Sequence, residues 1–522
     1  MGERNKRTKL KKSMGPGSIW AVAVGSIIGW GCFIQGGLWT ERAGGPLPLF
    51  LGFLAGGLLM IVVGYSYSYM IAKFPVAGGE FAYAYKGFGR TASYICGWML
   101  SLGYLSIVAL NATALPVLAS YIFPGVFNRG YLYTIAGYDV YMGEVGLSLF
   151  FIILFGIMNY KGAKSVGNLQ LAMVLIMCAA VVVSVIGVIA TGHFDASNLQ
   201  PAYGAEGKSL GSGFVSILAL APFLYVGFDC IPQAAEEYDF PPQKCKMLII
   251  SALIVGALIY GAMALVTDCV VPWQQVLTMT DGNGTLVKWH TGAVLDLAMG
   301  KVGVCFVALA VCMGIFTGMN GFFMTSSRLL FGMARAKMLP SAFEKVHPEH
   351  KTPSICVGFT MIICCICPFF GREVIGWVVD MCSVGTAFGY FFTCAGAYIL
   401  LKKYGDDTDT NKIHPAVAMG GCVISVVILL LLIVPGSPAF MAPQSFAALI
   451  VWVLMGVTFY FVSKKNFAKF ELPYILLLLP FAVCFIAFTI IPVLSSMALS
   501  FTDFNLIKIK PPSPVALFSN TY

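Results

Sequence analysis

The sequence predicts an all-α polytopic membrane protein, and two observations carry that prediction. Of 522 residues, 58% are hydrophobic and only 11% charged. A soluble domain carries roughly 25% charged residues, and half of that cannot clothe a water-exposed surface of this size. Mean hydropathy is +0.85, and the apolar residues come in runs that match the ~20 residues needed to cross a bilayer core as helix. Because lipid offers the backbone no partners, each run must satisfy its own peptide groups and is read as a helix. A cytosolic enzyme, a nucleic-acid binder and a disordered scaffold are excluded on these grounds.

In order along the chain, the expected spans are 17–38, 47–72, 92–122, 144–160, 166–191, 210–236, 247–271, 301–334, 353–370, 374–401, 413–434 and 441–463. A thirteenth apolar run follows at 472–499. The formal charge of +9 reports orientation in this setting. With the N-terminus placed inside, 24 of the 32 Lys and Arg residues fall on the inner side, so the N-terminus is expected to be cytoplasmic. The basic head runs straight into the first span without a small-residue cleavage site, and no cleaved signal is expected. Loops are short. The longest outer one, near 272–300, holds Trp273, Asp281 and an Asn283-Gly284-Thr285 sequon that carries little weight alone.

The first span contains Gly25-Ser26-Ile27-Ile28-Gly29-Trp30-Gly31. Each glycine weakens a helix by about 1 kcal/mol relative to Ala. Two readings stand: close packing through small residues, or a deliberate interruption. An interruption at mid-membrane frees N–H groups that suit a carboxylate and carbonyls that suit an ammonium or metal cation. The sixth span repeats the design in Ala221-Pro222-Phe223-Leu224-Tyr225-Val226-Gly227-Phe228-Asp229. Pro222 lacks a donor, and Gly227 tolerates non-helical angles. Asp229 reads either as a cap for a second half-helix or as a proton-carrying or cation-facing group. Interruptions in spans one and six, which open two consecutive sets of five, point to an inverted-repeat secondary transporter.

Four strings then carry a family resemblance. They are Gly25-Ser26-Ile27-Ile28-Gly29-x-Gly31-x-Phe33, Phe74-Pro75-x-x-Gly78-Gly79-Glu80-Phe81-x-Tyr83, Gly227-Phe228-Asp229 followed by Ala234-Ala235-Glu236-Glu237, and Ser327-Arg328-Leu329-Leu330-x-x-Met333-Ala334-Arg335 closed by Leu339-Pro340. Over roughly residues 14–465 the chain resembles amino acid permeases of the amino acid–polyamine–organocation (APC) superfamily.

The resemblance implies a LeuT-type 5+5 inverted repeat with discontinuous helices 1 and 6. Twelve spans would be followed here by one extra C-terminal helix. It divides the chain into a basic cytoplasmic N-terminus (1–13), a permease domain (14–470) and a tail (471–522). That tail resembles the first helix of a sugar-type ABC transporter permease, without the rest of such a subunit. The resemblance implies that a substrate carboxylate meets N–H groups around Gly29, Trp30 and Gly31. The amino group would meet carbonyls of Ile27 and of Phe223, Leu224, Tyr225 and Val226. Phe223 stands where the family often places an aromatic lid, or it is packing. Trp30 departs from the small residue usual at its position. Some members carry a lysine in the fifth helix that is associated with proton coupling; the stretch Gln170 to Cys178 here has none, with Met177 nearest its place, so lysine-based coupling is not expected. Coupling is left to a proton on Asp229, to a sodium ion held with hydroxyls of Thr317, Thr325 and Ser326, or to plain exchange.

Outside Asp229, the middle of spans one, three, six, eight and ten offers no ionisable side chain, which suits a neutral or apolar amino acid; Asp380 lies near the outer end of span ten. Arg328 and Arg335, near the end of span eight, are expected to reach water or headgroups. The expected function is amino acid transport across the plasma membrane, with no catalysis, no cofactor and no nucleic-acid partner. Rivals are a transporter of other amines or cationic amino acids, an ABC importer component as the tail invites, and a membrane enzyme. The five histidines, His193, His290, His347, His350 and His414, are scattered over loops, which speaks against the enzyme. Cys364, Cys365 and Cys367 lie in an apolar run without a CxxC pair and read as packing.

Overall fold

The computed structural model describes residues 10–135, 138–280, 287, 289–404, 413–437 and 439–466. The sequon, the 405–412 loop and the run at 472–499 lie outside them, as does the tail.

The first span begins as α1 (Pro16–Ile28), opened by a proline at its start and closed at Gly29. It resumes as α2 (Gly31–Ile34) and α3 (Gly36–Ala43), ending at Gly44 in the left-handed region. Then come α4 (Pro46–Lys73), α5 (Gly79–Phe88) and α6 (Arg90–Ile122). Strands β1 (Tyr131–Ile135) and β2 (Tyr138–Tyr141) form an antiparallel hairpin, where the sequence suggested only a short loop. Next are α7 (Met142–Lys161) and α8 (Ala163–Ala190).

The sixth span is not one helix. It divides into α9 (Leu210–Leu218), α10 (Ala221–Leu224) and α11 (Cys230–Gln233), with a tight 3-10 turn at Ala235–Glu237. After α12 (Cys245–Val270), the short α13 (Trp273–Val276) and α14 (His290–Met299) cover one end of the bundle. The remaining elements are α15 (Lys301–Arg335), α16 (Ser354–Ile366), α17 (Gly371–Tyr404), α18 (Pro415–Ile433) and α19 (Pro443–Asn466).

Nine of the described helices are long and apolar enough to cross a membrane, and α1 and α16 are shorter apolar helices. Burial sorts them. The apolar stretch of α17 is 78% buried and that of α6 67%, whereas those of α18 and α19 are 33% and 22% buried. Helices α6 and α17 therefore form the centre, with α15 packed against α6, and α18 and α19 line the outside against α17. The two interrupted helices lie in this centre: α1 packs on α8, α12 and α15, and α10 on α4 and α17.

Candidate functional site

The two breaks meet. Gly29 takes φ +50 and Gly227 φ +135, angles that a side chain strains. A Cβ on Gly227 would stand 2.5 Å from Ile27 N and 2.6 Å from Ser26 C, so one unwound segment rests directly on the other. On the far side, a Cβ on Gly314 of α15 would come within 2.0 Å of Gly29 O. That carbonyl thus needs a glycine facing it. Gly314→Ala should push the break aside and lower the unfolding midpoint by several degrees, which a thermal melt of purified protein checks.

Over the breaks opens a cavity of about 650 Å³. Of the residues proposed from sequence, Ile27, Gly29, Trp30, Gly31, Phe223, Leu224 and Val226 line it. Tyr225 does not: its ring is buried, and its hydroxyl donates to Phe53 O of α4 at 2.8 Å. Ile107, Leu110, Leu220 and Phe322 give the cavity apolar walls, while Arg42 and Asp380 line it as well. Asp380 accepts a hydrogen bond from Ser445 at 2.9 Å.

Three polar groups at the floor were not singled out from sequence. The Tyr260 hydroxyl of α12 lies 2.6 Å from Ile27 O and 2.7 Å from Leu224 O, joining the last turns of the two half-helices. One phenol proton cannot fully satisfy two carbonyls, so acceptor capacity remains there. Ser26 Oγ and Asn111 Oδ1 line the cavity and are buried without a hydrogen-bond partner among the described residues. Asn111, a lone amide in an apolar span, was the one legible signal among the three. Tyr260→Phe leaves both carbonyls without their donor and should cost about 1–3 kcal/mol, read as a lower unfolding midpoint and as weaker ligand binding.

The proposed coupling residues do not line the cavity. Thr325 Oγ1 and Ser326 Oγ donate back to Gly321 O and Phe322 O of their own helix. Thr317 Oγ1 reaches Gly25 O of α1 at 3.1 Å but also Met313 O at 2.8 Å. Beside it, Gln170 of α8 donates to Thr317 O at 3.0 Å and to Ala21 O at 3.4 Å. An uncharged amide, not Met177, is thus the fifth-span group that bridges α1 and α15.

Asp229 is fully buried and does not cap α11 with its side chain. Its Oδ1 accepts from Gly227 N at 2.7 Å, turning the carboxyl back into the break. Its Oδ2 accepts from the Tyr104 hydroxyl at 2.8 Å, and the same hydroxyl lies 3.4 Å from Glu80 Oε1. Glu80, also fully buried, accepts from Gln233 Nε2 at 2.5 Å. Two buried carboxyl groups therefore share one hydroxyl, and among the described residues neither has an ion pair.

The opposite end of the bundle is closed. Arg328 does not reach water or headgroups: it is fully buried, and its Nε and Nη2 take Glu237 Oε2 and Oε1 at 3.1 and 2.9 Å. A span-end arginine finds this partner because the turn after α11 carries two adjacent glutamates. Arg335, two helical turns on, holds Glu236 at 2.6 Å. Ser13 N and Met14 N donate to Glu237 O, and Asp239 N to Met14 O, so the chain ahead of α1 is tied to the chain after α11.

A multi-pass helical membrane protein with a closed end, an open end and a cavity built on paired helix breaks is the class these features define. The family model described as amino acid permease matches residues 15–451, and the chain belongs to that family, within the APC superfamily. Among similar curated proteins, the methylthioribose transporter of Bacillus subtilis (strain 168) is 24% identical over 483 residues, covering 89% of this chain and 96% of that protein. The branched-chain amino acid permease BcaP of the same organism is 24% identical, covering 88% and 94%. Cationic amino acid transporter 9, chloroplastic, of Arabidopsis thaliana is 26% identical over 65% of this chain and 58% of that protein. These relatives are transporters.

Proposed function

We propose that this protein carries neutral or apolar amino acids across the plasma membrane by alternating access, as a twelve-span 5+5 inverted-repeat secondary transporter with a cytoplasmic N-terminus. The observation that carries this reading is the joined floor of the cavity. The N–H groups at the start of α2, which no side chain caps, suit a carboxylate. Ile27 O and Leu224 O, sharing one donor, suit an ammonium group. Both poles of a zwitterion are thereby met by peptide groups, leaving its side chain to Ile107, Leu110, Phe223 and Phe322. Asn111 and Ser26 are further polar contacts. With Arg42 and Asp380 of opposite charge at its mouth, the cavity carries no charge excess that would select a cationic substrate. The name of BcaP agrees with apolar cargo.

On this reading the cavity faces outward, and the Arg328–Glu237 and Arg335–Glu236 pairs hold the inner end shut. Driving force comes from a proton shared between Asp229 and Glu80. Two uncompensated carboxylates at this depth cannot both stay ionised at acceptable cost, and Asp229 touches the unwound segment that must move. A sodium site at Thr317 is disfavoured, because Gln170 and Thr317 already supply donors to the carbonyls it would use.

Uptake of a labelled amino acid panel by proteoliposomes, without ATP and with imposed proton or sodium gradients, tests the whole reading. Apolar amino acids should accumulate with an inward proton gradient and not with sodium alone. Asp229→Asn and Glu80→Gln should each abolish accumulation while exchange of internal for external substrate persists. Strict ATP dependence would move the protein to another class.

A further inference from the structure

We propose that a second cavity, where α7 passes into α8, binds a phosphate-bearing anion. It measures about 480 Å³ and shares no lining residue with the central cavity. That volume falls within the roughly 300–1,000 Å³ of small-molecule sites. Lys11, Lys161, Lys164 and Lys351 line it, and among the described residues none of the four has an ion pair. Two carboxylates share the lining. Glu237 is neutralised by Arg328, which takes both of its oxygens. That leaves four lysines against Glu349 alone, with His350 beside them.

Like charges gathered around one half-open cavity repel, and an anion between them relieves the repulsion. The backbone adds to this. Gly162, at the start of the 28-residue α8, also lines the cavity, and among the described residues no side chain caps that helix. Its partial positive charge therefore adds to that of the lysines. Lys351 holds φ +56, in a turn closed by Lys351 N to His347 O at 3.0 Å and His347 N to Thr352 O at 2.8 Å. A non-glycine residue in that region costs on the order of 1 kcal/mol or more, and the strained turn carries a lysine to the cavity wall.

Phosphate can arrive from two sources. Phe150, Ile153, Leu154 and Ile157 of α7 are exposed, spaced along one helix face that leads to Lys161. Acyl chains lying on that stripe would deliver an anionic phospholipid headgroup to the lysines. Free phosphate is the other source.

The test uses the full-length protein in detergent. One arm titrates phosphatidylglycerol against phosphatidylcholine and counts bound lipid by native mass spectrometry. The other titrates inorganic phosphate and follows the unfolding midpoint. At about 1 kcal/mol per lysine near a charged headgroup, the exposed pair K161Q/K164Q should weaken binding roughly 30-fold. The pair K402Q/K403Q, elsewhere on the chain, removes equal charge and should change it less than about threefold. Selective loss of phosphatidylglycerol assigns a headgroup site, and selective loss of the phosphate-induced shift assigns a soluble anion; either supports the proposal. Equal loss in both variant pairs, or no binding of either anion beyond phosphatidylcholine, overturns it.

Discussion

Arg328→Ala should destabilise the protein by about 3–5 kcal/mol, the cost of leaving a buried charge without its partner. Arg328 and Glu237 each have side chains only 1% exposed, so water cannot replace the guanidinium. Loss of the pair also releases the turn whose carbonyl holds Ser13 and Met14, and the closed end of the bundle loosens with it. A second variant separates charge from shape. Arg328→Met with Glu237→Leu removes both ions and fills similar volume, and such replacements are commonly near neutral for stability. The unfolding midpoint should therefore fall sharply in the single variant and largely recover in the double one. Equal midpoints in wild type and Arg328→Ala would show that the pair does not hold this end together.

Gly227→Ala should be strongly damaging, because the added methyl falls where the two breaks meet. The added carbon would overlap Ile27 N and Ser26 C at 2.5 and 2.6 Å, distances that real contacts do not reach. Backbone on both sides leaves no flexible side chain to yield. The residue would also be held at φ +135, a strain of order 1–3 kcal/mol by itself. The two half-helices must separate, and the cavity floor loses its shape. Transport should drop by at least tenfold, and the midpoint should fall as well. Gly29→Ala is the matched contrast. Gly29 has φ +50 but open space where its Cβ would go, so this change brings strain without collision and should be the milder of the two.

The breaks were legible because glycine and proline act on their own backbone. Gly25 to Gly31 and Pro222 to Gly227 announce weak helix wherever they occur, and the structure interrupts helix at Gly29 and again between Leu224 and Cys230. What the sequence could not display was pairing across the bundle. Tyr260 reads as one aromatic in an apolar run, yet it joins two helix ends. Glu80 was visible only as part of a motif, and its relation to Asp229 depends on Tyr104 from a third helix. Asp229 itself suggested either a cap, which local spacing favours, or a proton-carrying or cation-facing group. The carboxyl instead turns back to Gly227, whose N–H the break has freed. Arg328 looked like a residue reaching for the membrane surface. Two adjacent glutamates after α11, set against two arginines seven residues apart on α15, were the available hint of a buried pair. The hairpin at Tyr131–Tyr141 was missed because short loops were expected between all spans.

The central claim is that a zwitterion sits on the joined ends of the broken helices, and equilibrium binding to Gly29→Leu tests it most directly. Gly29 opens onto the cavity with nothing within 4 Å of its Cβ position, so a leucine side chain would occupy the substrate's place. Labelled apolar amino acid should bind saturably to purified wild-type protein and fail to bind the variant, while the variant's unfolding midpoint stays within a few degrees. Undiminished binding by a folded Gly29→Leu protein would place the substrate somewhere else and contradict this account.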